Sequence, residues 1–258
     1  MIWNQLSWFA VPALSLWILG VLLAQRKGSP APAFLATLAG WLVLSVFIGL
    51  LWRDLGRPPI RTMGETRLLF ASALSLIGLL TALRTRYLWL LSFSNLIASI
   101  FLFILILSPG MQSGALMPAL QSAWFPTHVC YITSYSILGV ATLLSLKQIR
   151  DNRKDGSWRL MPVLDAVVRL GFAFLVLGLI TGAVWAKQAW GDYWAWDPKE
   201  TWAFITVSAY LVYIHLRARR VLTRGTLGLL TVAFLLLLIT WLGMSFIPAA
   251  QTSVHVYS

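Results

Sequence analysis

The feature that most constrains the fold is a series of eight long apolar stretches separated by polar segments. They lie at about 6–24, 34–52, 68–83, 88–107, 127–146, 165–186, 201–216 and 227–247. A helix that crosses a bilayer needs about 20 mostly apolar residues. Only 11% of the 258 residues are charged, against about a quarter in soluble domains. We therefore expect an all-α polytopic membrane protein with about eight transmembrane helices, forming a single domain over residues 1–258.

The distribution of basic residues predicts how these helices are oriented. One set of alternating loops contains thirteen Lys and Arg residues. The other set contains six, which are Arg53, Arg57, Arg61, Arg67, Lys187 and Lys199. Cytoplasmic loops are enriched in Lys and Arg, so the first set is predicted to be cytoplasmic. Both termini and the segment before the seventh helix are then outside. The net charge of +12 has the same origin and does not indicate a nucleic-acid partner.

Two polar segments connect apolar stretches in ways that need separate interpretation. The segment 147–158, KQIRDNRKDGSW, is predicted to be a solvated loop. The segment 53–67, RDLGRPPIRTMGETR, carries four arginines on the side predicted to be external. Two interpretations of these arginines remain open. They are local exceptions to a statistical rule, or they form an external site for an anion such as a carboxylate-bearing ligand.

The segment 190–202, WGDYWAWDPKETW, concentrates aromatic and charged residues just before the seventh apolar stretch. Five of the fourteen tryptophans lie within eighteen residues, at Trp185, Trp190, Trp194, Trp196 and Trp202. Tryptophan is enriched at membrane interfaces, but an interfacial belt would distribute the indoles over many helix ends. Clustered indoles offer a broad, flat, apolar platform with N–H donors at its edge. Such a platform suits a porphyrin, whose propionates could pair with Lys187 and Lys199.

The same segment contains the expected start of a helix. Asp197 suits the N-cap, Pro198 the first helical position, and Glu200 the third position of a capping box. This structural role is sufficient to account for both acidic residues.

The three histidines are the candidate axial ligands of a porphyrin iron. His128 lies at the predicted outer start of the fifth stretch, and His255 lies in the outer C-terminal tail. Both share a membrane face with the tryptophans, although a terminal histidine is more often solvated. His215 lies about 26 Å along the seventh helix from Pro198, at the opposite face. It is either a second ligand site or an interfacial histidine beside Arg217.

Cys130 is the only cysteine in the sequence. An intrachain disulfide, a CxxC redox motif and a CxxCH haem attachment site are therefore excluded within this chain. We expect Cys130 to be a small core residue.

The stretch WGDYWAWDPKETWAFIT closely resembles the WWD signature of the CcsA/ResC family, the integral membrane subunit of type II cytochrome c biogenesis. The order of one external histidine before the motif, one helical histidine after it and one external histidine at the end is also similar. The resemblance covers residues 120–258 well. Residues 1–119 are similar only as apolar helices plus a loop that contains Pro58 and Glu65.

The resemblance implies a haem-handling protein with an external WWD loop at about 185–202. Haem b, the transported substrate, would enter at His215 and reach the outer face, where His128 and His255 would be its axial ligands. The implied haem-binding residues of the loop are Trp190, Trp194, Trp196, Asp197 and Trp202. No catalytic side chain is implied, since the reacting cysteines belong to apocytochrome c and its CxxCH motif.

The resemblance also implies partners and a location. The chain would be a holocytochrome c synthase subunit that is active only with a CcsB/ResB-type membrane subunit, with a thiol-reducing protein as a further partner. The membrane would be a bacterial inner (cytoplasmic) or a thylakoid-type membrane. Many relatives are longer, which affects the haem entry path more than the external site.

Two other functions remain open from the sequence. One is a haem exporter or delivery protein without synthase activity, and the other is a b-type electron-transfer subunit that retains its haem. Three histidines cannot make two bis-histidine sites, so a second ligand to His215 is expected from the partner subunit.

Overall fold

The computed structural model describes residues 2–111, 124, 127 and 129–243. These residues form eight long helices: α1 (Leu6–Ala24), α2 (Ala31–Leu55), α3 (Met63–Thr85), α4 (Leu88–Leu107), α5 (Tyr131–Asp155), α6 (Met161–Trp190), α7 (Pro198–Ala218) and α8 (Arg224–Leu242). Two short 3-10 helices span Ile2–Gln5 and Pro109–Met111. The described ranges contain no strand, so the predicted all-α class is confirmed.

Seven of the described helices are long and apolar enough to cross a membrane. The remaining helix, α7, is less apolar because Lys199 and Glu200 lie in its first turn and His215 and Arg217 in its last turn. Large apolar side chains are exposed along the helices, for example Trp8 at 81%. A soluble protein would not leave this many apolar side chains in water. The chain is an integral membrane protein.

The segment 147–158 is not the loop that the sequence predicted. Helix α5 continues to Asp155 and ends at Gly156, which has a φ of +70°. Gln148 is fully buried, donates to the carbonyl oxygen of Ser157 at 2.7 Å and accepts from the Leu160 N–H at 2.7 Å. The Gln148 side chain thus forms hydrogen bonds with backbone groups of the turn that follows the helix. The helix therefore extends beyond its apolar stretch.

The chain divides into two compact units, residues 1–120 and 121–258. In the first unit, residues of α1, α2, α3 and α4 form a core around Trp17 and Phe47. The buried Asn95 side chain donates to Thr37 Oγ1 at 2.8 Å and accepts from Ser75 Oγ at 3.1 Å. These hydrogen bonds connect α2, α3 and α4, and interhelical polar contacts of this kind support packing in lipid.

In the second unit, α5 packs against α6 and α8, and α7 packs mainly against α8. The Ser134 hydroxyl donates to the Gly171 carbonyl on α6 at 2.8 Å, and the Ser145 hydroxyl donates to the Leu227 carbonyl on α8 at 2.9 Å. Helices α6 and α7 have only a sparse interface.

A polar cluster joins the start of α6 to the end of α7, close to His215 in the sequence. The Tyr213 hydroxyl donates to Asp165 Oδ1 at 2.9 Å, and Arg217 Nη2 donates to Asp165 Oδ2 at 2.8 Å. Both charged side chains are 19% exposed. Tyr213 and Arg217 are one turn apart on α7, so the cluster fixes the rotation of this helix about its axis.

Candidate functional site

A cleft opens at the end of the second unit where α5 and α7 start and α6 and α8 end. Its volume is about 820 Å³ with the part open to solvent included. The walls are mainly aromatic and aliphatic, and Lys199 and Glu200 are the charged residues among them. An apolar interior with few charged groups is the usual composition of a site for a large organic ligand.

Small residues on α6 make room for this cleft. Gly178 and Gly182 lie one turn apart and both line it. A Cβ atom at Gly178 would lie 3.1 Å from the Cβ of Tyr131 on α5. The two helices therefore approach closely at this level, and larger side chains on this face of α6 would reduce the cleft.

The start of α7 has the capping box that the sequence predicted. Asp197 is the N-cap, and its Oδ1 accepts from the backbone N–H groups of Lys199 at 2.9 Å and Glu200 at 3.0 Å. Glu200 Oε2 accepts in return from the Asp197 N–H at 3.3 Å. The same Oε2 also accepts from the Ala195 N–H at 2.7 Å. This last bond extends the capping box two residues beyond the N-cap.

Trp196 lies between these two bonded amides in an uncommon conformation. Its φ is +57°, in the left-handed region that L-residues other than Asn and Asp rarely adopt. Glu200 bonds the amides on both sides of it, and the Thr201 hydroxyl donates to its carbonyl oxygen at 3.3 Å. The first turn of α7 thus fixes the backbone of Trp196 from three directions.

The indoles of the segment pair edge to face. Trp185 and Trp190 have ring centroids 4.7 Å apart at 67°, and Trp194 and Trp196 have centroids 5.7 Å apart at 85°. Trp196 also contacts Phe204 at 5.8 Å and 76°. The predicted flat platform is wrong in this respect, because near-perpendicular rings present edges as well as faces.

Of the five clustered tryptophans, Trp185 and Trp194 line the cleft, together with Trp241 from α8. Trp185 is 2% exposed and belongs to the wall. The Nε1 of Trp194 is buried and has no hydrogen-bond partner among the described residues. A buried N–H without a partner is costly, so a hydrogen bond to a bound group would stabilise Trp194.

Lys187, just before the Trp-rich segment, and Lys199, within it, have different surroundings. Lys187 Nζ donates to the Gly191 carbonyl at 2.6 Å and lies 5.5 Å from the centroid of the Tyr193 ring. It therefore caps the end of α6, and the pairing of Lys187 with a ligand carboxylate that the sequence suggested would require breaking this cap. Lys199 lines the cleft itself.

Of the three histidines, His128 and His255 lie outside the described residues. Their neighbours in sequence are informative: Tyr131, three residues after His128, lines the cleft, and so does Trp241, fourteen residues before His255. Cys130, next to Tyr131, is half-buried, and burial raises the pKa of its thiol. A raised pKa makes this cysteine a poor nucleophile at neutral pH.

His215 lies at the other end of α7 on an exposed face. Its Nδ1 is 2.9 Å from the Leu211 carbonyl oxygen. A carbonyl oxygen can only accept, so Nδ1 carries the hydrogen, and in the neutral ring this tautomer leaves the Nε2 lone pair for a metal or a donor. A shallow groove lined by Ser208, Val212 and Arg219 surrounds the ring.

The arginines of the first unit are partly explained by an internal ion pair. Arg57 forms a bidentate pair with Glu65, with both N···O distances at 2.9 Å, and Glu65 is 1% exposed. Glu65 Oε2 also accepts from the Arg61 N–H at 2.6 Å. Burial, and then the charge of Arg57, lower the pKa of the Arg61 guanidinium. Arg57 is therefore engaged within the chain, which weakens the interpretation of this loop as an anion site.

The comparisons with known proteins identify the family. The family model described as "Cytochrome C assembly protein" matches residues 61–250. The cytochrome c biogenesis protein CcsA of Solanum lycopersicum is 32% identical over 237 residues, which cover 75% of this chain and 76% of that protein. The chain belongs to the CcsA family. This result confirms the resemblance that the Trp-rich segment indicated.

Two further matches differ in how much of each chain they cover. The CcsA protein of Chlamydomonas reinhardtii is 41% identical over 151 residues, which cover 53% of this chain and 42% of that protein. A solved structure, Cytochrome c Heme Lyase CcmF, matches with a TM-score of 0.59 and 21% identity, covering 93% of this chain and 46% of that one. The latter match shows that the CcsA-family chain shares a fold with CcmF.

Proposed function

We propose that this CcsA-family chain binds haem b as a transported substrate in the cleft of the second unit and holds it for covalent attachment to apocytochrome c. In this proposal the chain is one subunit of a type II cytochrome c synthase. The observation that carries the proposal is an apolar cleft lined by Trp194, just before α7, whose buried Nε1 has no hydrogen-bond partner among the described residues. The family membership supports a role in cytochrome c biogenesis.

The residues present fit a porphyrin in three ways. The aromatic and small apolar side chains of the cleft suit the ring system, and Trp194 Nε1 suits a propionate oxygen. The ammonium group of Lys199 can pair with a propionate at the same end. Within the described ranges, no three His, Cys, Asp or Glu side chains are grouped as metal ligands. We assign the axial ligands of this site to His128 and His255, because Tyr131, three residues after His128, and Trp241, fourteen residues before His255, both line the cleft.

The chemistry of attachment adds the S–H group of a substrate cysteine across a haem vinyl group, and it leaves no other product. The attacking sulfur in this addition belongs to the substrate cysteine. The chain's own role is to bind and orient haem and to exclude water from the ring. Positioning of this kind can supply a large part of a rate enhancement when two reactants must meet in one geometry.

We assign a second haem contact to His215. The bond from Nδ1 to the Leu211 carbonyl orients the ring and leaves Nε2 available as a ligand, which is the usual arrangement for a metal-binding histidine. The exposed face of α7 offers no second histidine in the described residues. A CcsB/ResB-type subunit would therefore supply the opposite ligand, and this contact would be the entry site on the cytoplasmic side of the membrane.

The orientation in the membrane follows the distribution of basic residues, and it is part of the proposal. The Trp-rich segment and both termini would face the outer side, where apocytochrome c is met. A bacterial cytoplasmic membrane or a thylakoid-type membrane would provide this arrangement.

The test is whether haem becomes covalently attached to apocytochrome c. The chain is co-expressed with a CcsB-type subunit and an apocytochrome c that carries CxxCH, and haem on the apocytochrome is measured after acid–acetone extraction. The proposal predicts haem that resists extraction only when the chain and its partner are both present. Haem that binds to the complex but never becomes covalent would instead support a delivery protein, and haem that stays with the complex during turnover would support an electron-transfer subunit.

A further inference from the structure

We propose that Glu200 is the positioning residue of the cleft, and that it acts by holding Trp196 in its left-handed conformation so that Trp194 is presented to the ligand. This inference rests on the proposed haem site, because it concerns the geometry of that same site. Glu200 is not one of the residues that the sequence pattern assigned to haem.

The contacts of Glu200 exceed those of a helix cap. A capping-box glutamate bonds the N-cap amide, and Glu200 does so at 3.3 Å from the Asp197 N–H. Its shorter bond, at 2.7 Å, goes to the N–H of Ala195, two residues earlier. The two bonds enclose Trp196, so this residue cannot leave the left-handed region without breaking at least one of them.

A backbone conformation of this kind does not persist without support. For a bulky residue such as Trp the left-handed region is strained, and strain is maintained only where the surrounding structure over-determines it. At Trp196 the support comes from Glu200 on both sides and from the Thr201 hydroxyl on the carbonyl. Trp196 does not line the cleft itself but contacts Trp194, which does, and strain close to a binding site is the pattern found at ligand clamps.

The consequence of this conformation is the packing of two indoles. Trp196 is 63% exposed and stands edge to face between Trp194 and Phe204. Trp194 in turn lines the cleft and carries the unpartnered Nε1. The chain of contacts from Glu200 to Trp196 to Trp194 therefore connects the first turn of α7 to the group that meets the ligand.

Glu200 is available for this role because no ion pair with another described residue engages it. No Lys, Arg or His nitrogen of the described residues lies within 4.0 Å of its carboxylate. Its function within the described part of the chain is thus fulfilled by backbone amides. Two backbone N–H groups need an acceptor oxygen rather than a charge, so the inference predicts that Gln can replace Glu200 and that the shorter Asp cannot.

The experiment is a double-mutant cycle in the purified complex with the CcsB-type subunit. The rate of haem transfer from the complex to apomyoglobin is measured for the wild type, Glu200→Ala, Trp196→Ala and the double variant. We expect Glu200→Ala to release haem about tenfold faster. Without Glu200 the side chains of Trp194 and Trp196 would have to be ordered when haem binds, and ordering one or two large side chains has about this cost. In the Trp196→Ala background the same change should alter the rate by less than about twofold, since residues that act through one another are not additive.

Conservative variants separate positioning from charge and from folding. Glu200→Gln should release haem within about twofold of the wild type, while Glu200→Asp should match Glu200→Ala. If Glu200→Ala does not fold, the Gln and Asp variants carry the same test. The inference is overturned if Glu200→Gln behaves as Glu200→Ala does, if Glu200→Ala leaves the rate unchanged, or if the two changes in the cycle are additive.

A parallel variant separates this inference from the proposed function. Trp194→Ala removes a wall of the cleft and its donor without touching the bonds of Glu200. If Trp194→Ala leaves haem binding unchanged, the cleft is not the haem site and both proposals fail. If Trp194→Ala accelerates haem release while the Glu200 cycle is additive, the haem site stands and only the positioning role of Glu200 fails.

Discussion

Helices α3 and α7 begin in nearly the same way, in different units of the molecule. Each has a capping box with Glu at the third helical position, and in each the Glu Oε2 accepts a further N–H from upstream of the N-cap. At α3 the two bonded amides are consecutive, Arg61 and Thr62. At α7 they are Ala195 and Asp197, and the intervening Trp196 is turned out with positive φ.

The surroundings of the two glutamates differ more than their bonds. Glu65 is 1% exposed and its carboxylate is closed by a bidentate pair with Arg57. Glu200 has no ion-pair partner in the described part of the chain, and it lines a cleft beside the unpartnered Nε1 of Trp194. A fully satisfied polar cluster is an anchor for the fold. Near Glu200 the backbone of Trp196 is strained and the Nε1 of Trp194 has no acceptor among the described residues. Such an arrangement is expected at a functional site.

The largest effect on stability is expected at Glu65, whose carboxylate is fully paired. Glu65→Ala removes the partner of Arg57 and the acceptor of the Arg61 and Thr62 amides, so it should lower the free energy of unfolding by about 3–5 kcal/mol. Glu200→Ala, which removes no ion pair, should cost about 1 kcal/mol. Thermal unfolding of both variants in detergent checks this difference. Equal losses in the two variants would show that the two helix starts do not differ as described.

The largest effect on haem affinity is expected at Trp194 in the cleft. Trp194→Ala should lower haem affinity about tenfold or more, because truncation of a large aromatic anchor in a pocket commonly costs at least 1.4 kcal/mol. The matched control is Trp52→Ala in the first unit, which removes an indole that is 52% exposed. Haem content per complex, measured as pyridine haemochrome, should fall only in the first variant. Similar losses in both would indicate a general effect on the membrane protein.

The smallest effect separates capping from binding at Asp197. Asp197→Ala should cost about 1 kcal/mol of stability, and Asp197→Asn only a few tenths, because Asn caps nearly as well as Asp. Thr223→Ala, which removes the N-cap of α8, is the matched control and should cost about the same as Asp197→Ala. Both stability and cytochrome c yield are measured. If Asp197→Asn folds normally but makes no holocytochrome c, Asp197 has a role that depends on its charge.

The comparison also shows what the sequence could predict. The eight helices follow from the length of the apolar stretches, and the capping box of α7 follows from the spacing of Asp197 and Glu200, because both depend on local rules. The helical residues up to Asp155 were predicted wrongly as a loop. Their stability comes from the buried bonds of Gln148 to Ser157 and Leu160, and such contacts across a turn have no local pattern.

The geometry of the cleft was predicted least well. The edge-to-face pairs of the indoles, the left-handed Trp196 and the pair between Arg57 and Glu65 all depend on which side chains meet after folding. One sequence feature could have indicated the cleft, namely Gly178 and Gly182 one turn apart on a helix before a Trp-rich segment. The assignments of His128 and His255 as ligands stay predictions, because both residues lie outside the described ranges. The assignment of residues 1–258 to a single domain also stays a prediction.

The most direct test of the account is hydrogen–deuterium exchange of the complex with and without haem. The central claim is that the start of α7 forms the substrate site and that the similar start of α3 is only an anchor. Haem should slow amide exchange in the segment 191–197 and leave the segment 57–66 unchanged. Unchanged exchange at 191–197 on haem binding, or protection at 57–66 in its place, would contradict this claim.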